Sequence, residues 1–114
     1  MIIYGIKNCD TVKKAVQWLR SKNVSFDFHD YKTKGITENK LKEWSQQVTW
    51  ENLLNRRGTT WRQLEESEKA KVTSEDAAVA LMKDQPSIIK RPVIEKNGKV
   101  ILIGFEEKEY LRKI

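Results

Sequence analysis

The sequence predicts an α/β protein built on a four-stranded mixed sheet, in the order β-α-β, a helical insert, then β-β-α. Three observations carry this. First, the apolar run Met1-Ile2-Ile3-Tyr4 gives way to Val12, Ala15, Val16 and Leu19 at helical spacing, and then to the alternating stretch VSFDFHDY. Strand, helix and strand at this spacing form a βαβ unit with parallel strands. Second, PVIEKNGKVILIG reads as a hairpin about Asn97-Gly98, the pair best suited to a two-residue type I′ turn. Third, residues 34–86 between these regions carry helix signals only.

Each element has a local reason. The first strand covers residues 1–4 and stops at Gly5. The first helix follows, with Asn8, Asp10 and Thr11 all able to cap it, and ends near Lys22-Asn23. The second strand spans about Ser25–His29. In the insert, Thr37 caps a helix with the buried stripe Leu41, Trp44 and Val48. Thr49 caps a short helix containing Trp50, Leu53 and Leu54, which stops near Gly58. Thr60 with Gln63 and Thr73 with Asp76 form capping boxes for a further short helix and for the AAVALM helix, which Pro86 ends. The insert thus holds four helices, two of them short. FEEKEYLRKI closes the chain as a helix. The expected division is one domain, with 1–33 and 87–114 forming the sheet core and 34–86 the insert.

With 114 residues the chain can bury roughly two thirds of its unfolded surface, enough for a core without staples. Charged residues at 33% beside 39% hydrophobic ones describe a folded globular protein rather than a disordered one. The apolar runs fall far short of the ~18 residues that span a bilayer. No signal-peptide pattern opens the chain, and a single cysteine cannot form an internal disulfide; both lead us to expect a cytoplasmic protein with no membrane partner. The net charge of +6 is spread among interleaved lysines and acids, without a nucleic-acid motif, so no direct nucleic-acid binding is expected. A lone histidine, His29, makes a metal site an unsuitable reading, and no metal or bound cofactor is expected. Trp18, Trp44, Trp50 and Trp61 read as core anchors.

The one cysteine, Cys9, lies between the first strand and the first helix. If the helix starts at Asp10 or Thr11, the sulfur lies beside unpaired backbone N–H groups and the positive end of the helix dipole. Cysteines so placed have pKa values of roughly 3.5–7.5 instead of about 8.5. Lys7 and Lys13 add positive charge, and Asp10 opposes it if it faces the sulfur. The competing reading is a small buried hydrophobe. The polar neighbours Lys7, Asn8, Asp10 and Thr11 are poor company for a core position, yet the local residues alone leave both readings open. Further along, Pro92 opens a strand, where its missing N–H is tolerated, and an X–Pro bond at such a junction is a candidate for the cis form. If the halves of the sheet pack as read, Arg91 becomes a permanent cation near the thiolate; the competing reading is an exposed surface arginine.

YGIKNCDT at 4–11, LLNRRGTTWRQL at 53–64 and PSIIKRPVI at 86–94 resemble, in order and spacing, the arsenate reductase (ArsC/Spx) family, and most of all its YffB-type members. The similarity covers nearly the whole chain and implies a thioredoxin-like fold with a helical insert. It implies that Cys9 is the redox nucleophile and that Arg91, before Pro92, binds the anionic substrate or thiolate. Arg57 in RGTTWR is implied as a further anion contact, ahead of Arg56 and Arg62. Backbone groups around Asn8, Asp10 and Thr11 complete the expected site. Three family positions differ. A histidine four residues before the cysteine is Gly5 here, an arginine after the LL pair is Asn55, and a third arginine in the late strand maps to about Gly104. Oxyanion recognition needs several converging cations, so the resemblance points away from efficient arsenate reduction. The expected activity is thiol-disulfide reduction, with glutathione or another small thiol as co-substrate, glutaredoxin as a further partner, and a monomeric enzyme. Two alternatives remain: a Spx-like regulator contacting RNA polymerase without a C-x-x-C switch, since Val12 replaces the second cysteine, or an arsenate reductase with an altered arginine set.

Overall fold

The structure is a computed structural model that describes residues 1–114. In chain order its elements are β1 (Ile2–Gly5), α1 (Asp10–Ser21), β2 (Asp27–Asp30), α2 (Tyr31–Lys34), α3 (Glu38–Val48), α4 (Trp50–Leu53), α5 (Thr59–Arg62), α6 (Glu66–Ala70), α7 (Glu75–Asp84), a 3-10 turn (Pro86–Ile88), β3 (Val93–Lys96), β4 (Lys99–Ile103) and α8 (Glu107–Lys113). They form two compact units, one of Met1–Lys34 with Arg91–Ile114 and one of Gly35–Lys90.

The first unit holds a four-stranded sheet in the order β2-β1-β3-β4. β1 runs parallel to β2, with Ile2 opposite Asp27, and antiparallel to β3, with Ile3 opposite Ile94. This is the predicted mixed sheet, in a thioredoxin-like arrangement. β2 starts two residues later and ends one residue later than the sequence suggested, because its limits follow the parallel register with β1. The hairpin turn is as read: Asn97 and Gly98 both have positive φ, 53° and 78°, which a type I′ turn requires.

One sheet face carries the core of this unit. Ile3 and Ile94 pack with Ala15 and Leu19 of α1, Leu102 of β4 and Tyr110 of α8. Val12, Ala15 and Leu19 are the buried stripe of α1, while Val16 is only half-buried. The Tyr110 ring meets Trp18 and Phe105 edge-on at 5.4 and 4.8 Å, and its hydroxyl donates to the Gly104 carbonyl at 2.6 Å.

The second unit is helical apart from one antiparallel bridge between Leu54 and Ile89, and it differs from the expected four helices. It holds five α-helices and the 3-10 turn; α6, from the polar ESEKA, was not foreseen because it has no buried residue and so no apolar stripe. Thr37 caps α3 as predicted, accepting from the Lys40 amide at 3.1 Å. The stripe of α3 is Leu41, Trp44 and Ser45, with Val48 half-buried. Ser74, not Thr73, caps α7, accepting from the Ala77 amide at 3.3 Å. Gly58, not Thr60, is the N-cap of α5; Thr60 instead bonds the Ser87 hydroxyl at 3.0 Å. α4 ends at Leu53, well before Gly58. Asn55 fills that gap: its amide donates to the Ile88 carbonyl and its Oδ1 accepts from the Arg57 amide. Of the four tryptophans only Trp44 is fully buried, and α3 packs on α7 around it. No helix of the chain is long and apolar enough to cross a membrane.

Candidate active site

β1 ends at Gly5 and a short loop leads directly to Cys9. The residue at the N-cap of α1 is Cys9 itself, with extended backbone (φ −121°, ψ 124°). None of the three expected caps holds that position. Asp10 and Thr11 lie within the first turn and Asn8 precedes it, so the sulfur occupies the place a capping oxygen would take. It forms no capping hydrogen bond of ordinary geometry. The amides of Val12 and Thr11 are nonetheless close enough to stabilise charge on it. They stand at the two helical positions whose N–H groups a cap side chain normally satisfies.

The half-buried thiol is subject to opposed effects. Burial pushes its pKa up, and this is the largest single influence. The Val12 amide, the Arg91 guanidinium and the Thr11 amide together outweigh burial, so the pKa lies below that of an ordinary thiol. Arg91 acts both as hydrogen-bond donor to the sulfur and as a nearby cation. The register explains how it arrives there. Val93 lies opposite Tyr4, so the chain entering β3 passes the end of β1 from which the Cys9 loop departs. The Arg91–Pro92 bond is cis, and the Pro92 carbonyl accepts from the Gly104 amide at 2.8 Å, tying this entry to the end of β4.

Two of the departures from the family pattern have structural reasons. A Cβ at Gly5 would stand 2.9 Å from a Val12 methyl, so β1 and the first turn of α1 approach too closely for a side chain. Gly5→His is therefore expected to destabilise the fold by roughly 1–3 kcal/mol through overpacking. It should also slow alkylation of Cys9, because the displaced residue is the one whose amide faces the sulfur. Urea denaturation and iodoacetamide kinetics measure the two effects. Gly104 has φ 79°, a left-handed conformation that an arginine would adopt only under strain.

Below the site, on the sheet face opposite the apolar core, lies a layer the sequence did not disclose. Tyr4 and Glu95 are buried, and the Tyr4 hydroxyl donates to Glu95 Oε1 at 3.1 Å. The Tyr4 ring lies 4.8 Å from His29 and 6.4 Å from Tyr31. Asp30 starts the turn that places Tyr31, its carboxylate accepting from the Lys32 amide at 2.9 Å. The Tyr31 hydroxyl is buried without a hydrogen-bond partner. Burial pushes its pKa well above the usual phenol range, Tyr4 reinforces this, and Arg91 opposes it. The available signal was the phase of the strands: Tyr4 and Glu95 fall out of step with Ile3 and Ile94. Tyr4→Phe removes a donor from a buried carboxylate and is expected to cost about 1–3 kcal/mol of stability by chemical denaturation.

The remaining expected residues divide by unit. Asn8, Asp10, Thr11 and Pro92 lie in the same unit as Cys9 and Arg91; the first three are exposed or nearly so around the thiol, and Pro92 is buried. Arg57 is exposed in the helical unit. Its neighbour Arg56 lies over the faces of Trp50 and Trp61, at 6.0 and 5.7 Å, and both rings are half-buried rather than core. His29 belongs to the aromatic layer, and no group of three or more His, Cys, Asp and Glu is placed to hold a metal ion.

Comparison with known proteins agrees with this architecture. An uncharacterized protein of Haemophilus influenzae is 46% identical over 108 residues, covering 95% of this chain and 93% of its own length. The solved YFFB protein superposes with a TM-score of 0.92 at 47% identity, covering 98% of this chain and 96% of that one. An arsenate reductase (ArsC) related protein from Brucella melitensis does so with a TM-score of 0.79 at 46% identity, over 97% and 91%. The sequence pattern of one family extends over residues 4–113, taking in both the thiol and the Arg91–Pro92 junction. The chain is a member of the ArsC family.

Proposed function

We propose that this protein is a thiol-disulfide reductase in which Cys9 is the nucleophile and glutathione, or another low-molecular-weight thiol, is the co-substrate. The observation that carries the reading is the setting of the only sulfur able to react: an N-cap position facing two helix amides and a guanidinium, which together favour the thiolate over the thiol. The thiolate attacks one sulfur of a mixed disulfide between substrate and small thiol. A Cys9–S–S bond to the small thiol forms, the original S–S bond breaks, and the substrate sulfur leaves as a thiolate that water protonates. The chain has no second cysteine to resolve this intermediate. A second small thiolate therefore attacks it, releasing Cys9 and carrying away an external disulfide. The net change is one substrate mixed disulfide and one small thiol converted to one substrate thiol and one oxidised small thiol. A glutaredoxin system is a suitable source of turnover.

In this scheme Arg91 and the amides from Asn8 to Thr11 hold the anionic groups of the small thiol, with Pro92 fixing the turn that presents Arg91. Arg57 is retained as a further anion contact on the resemblance alone. The reaction belongs to a monomer in a reducing compartment such as the cytoplasm. The test is intact-mass analysis after exposure to oxidised glutathione. The expected result is one glutathione adduct on the natural protein and none on Cys9→Ser. Failure of the natural protein to take up glutathione overturns the reading.

A further inference from the structure

We propose that the groove between α1 and the start of β2, with the residue just before it, is a docking site for an extended, acidic and apolar peptide segment of a protein substrate. This deepens the reading above by naming the substrate class, and it rests on that reading for its chemistry.

The groove follows from the spacing of residues on α1. Val12 and Val16, four apart, form an apolar floor, and Phe26 and Phe28, two apart and so on one side of an extended chain, form the facing wall. Its volume is about 360 Å³. Val16, Phe26 and Phe28 pack against the sheet core on one side and remain half-exposed on the other. The rim is basic: Lys7 at one end, then Lys13 and Arg20 along α1, all exposed, with no acidic residue among those lining the groove.

Position ties this groove to the thiol. Val12, at one end of its floor, is the residue whose amide faces the Cys9 sulfur, and Lys7 and Lys13 flank the same end. From Lys13 to Arg20 the helix advances about 10 Å. That length accommodates roughly three residues of extended chain. Glutathione is polar throughout and leaves an apolar floor of valine and phenylalanine unused. A peptide with apolar side chains toward the floor and carboxylates toward Lys13 and Arg20 satisfies both the floor and the rim. A cysteine at the end of such a segment, carrying a small thiol in disulfide linkage, would lie beside Cys9. The exchange is then the one given above: the Cys9–small-thiol bond forms and the peptide sulfur leaves as the reduced product.

The test separates docking from chemistry. A fluorescein-labelled hexapeptide alternating glutamate and phenylalanine is titrated with the full-length protein, beside its lysine-for-glutamate counterpart, and anisotropy is recorded. The glutamate peptide is expected to bind at least about tenfold more tightly, and the preference should fall at higher salt. The double variant Gln17→Glu with Arg20→Glu, far from the sulfur, should abolish or reverse the preference. The same variant should react with the neutral small disulfide of 2-mercaptoethanol as fast as the natural protein does. Equal binding of the two peptides, or a preference unchanged in the double variant, overturns the docking site. Peptide preference with no reaction at Cys9 leaves the docking site standing and removes the reductase reading instead.

Discussion

Arg91→Met is expected to slow the reaction of Cys9 with disulfides near neutral pH by on the order of tenfold, while the fold persists. The reason is electrostatic. Arg91 is the only side chain that both hydrogen-bonds the sulfur and supplies a cation to it. A hydrogen bond to a charged group contributes roughly 1.5–3 kcal/mol when well buried. The thiol is half-buried, so solvent screening reduces that figure and the low end applies. The Val12 and Thr11 amides remain in the variant, so the loss is partial. The pH dependence has a definite sign. A thiol whose folded pKa is depressed reacts faster as pH rises through that pKa and then levels off. Without the guanidinium, that rise moves to higher pH. Stopped-flow alkylation across pH measures both quantities, and the variant should regain natural rates in strongly alkaline solution, where both proteins are thiolates.

Trp44→Ala should have the largest effect on stability, a loss of roughly 3–5 kcal/mol. Trp44 is fully buried and is the largest side chain in that condition. It lies on α3, which packs on α7, where Ala78, Val79 and Met82 are buried in turn. Truncation removes the largest buried side chain, so the transfer cost applies together with the cost of whatever cavity Ala78, Val79 and the more adaptable Met82 leave unfilled. A domain of this size is stable by only about 5–15 kcal/mol. Urea denaturation should therefore show a much lower midpoint with little change in slope. Trp50→Ala and Trp61→Ala, from half-buried rings against Arg56, should cost visibly less.

The difference among the tryptophans shows where sequence reasoning reached its limit. Residue type says that a large ring prefers burial, but not which ring the packing will choose. Turn chemistry and helical spacing act locally, and at these positions sequence and structure agree, although the cap of α7 falls on Ser74 rather than Thr73. The Asn97-Gly98 turn needs two positive φ values, and that pair tolerates them. Thr37 caps α3 with its own hydroxyl. The α1 stripe depends only on helical spacing. Where the determinant is tertiary, the reading slipped. β2 takes its limits from its register with β1, and Thr60 is drawn away from a cap by Ser87. The site shows the same division. The placement of a lone thiol at a helix start was legible from period and composition. That the sulfur takes the cap position in place of Asn8, Asp10 or Thr11 depends on the backbone at Cys9. The layer of buried Tyr4, Tyr31 and Glu95 with half-buried His29 depends on which sheet face each residue meets.

The central claim is that Cys9 is held toward the thiolate by the first turn of α1 and by Arg91, against the opposing effect of its own burial. The most direct measurement is the pH profile of Cys9 alkylation by iodoacetamide, run beside a short unstructured peptide containing one cysteine. The expected midpoint lies below that of the peptide and moves upward in Arg91→Met. A midpoint at or above the peptide's, unmoved by that substitution, would contradict it.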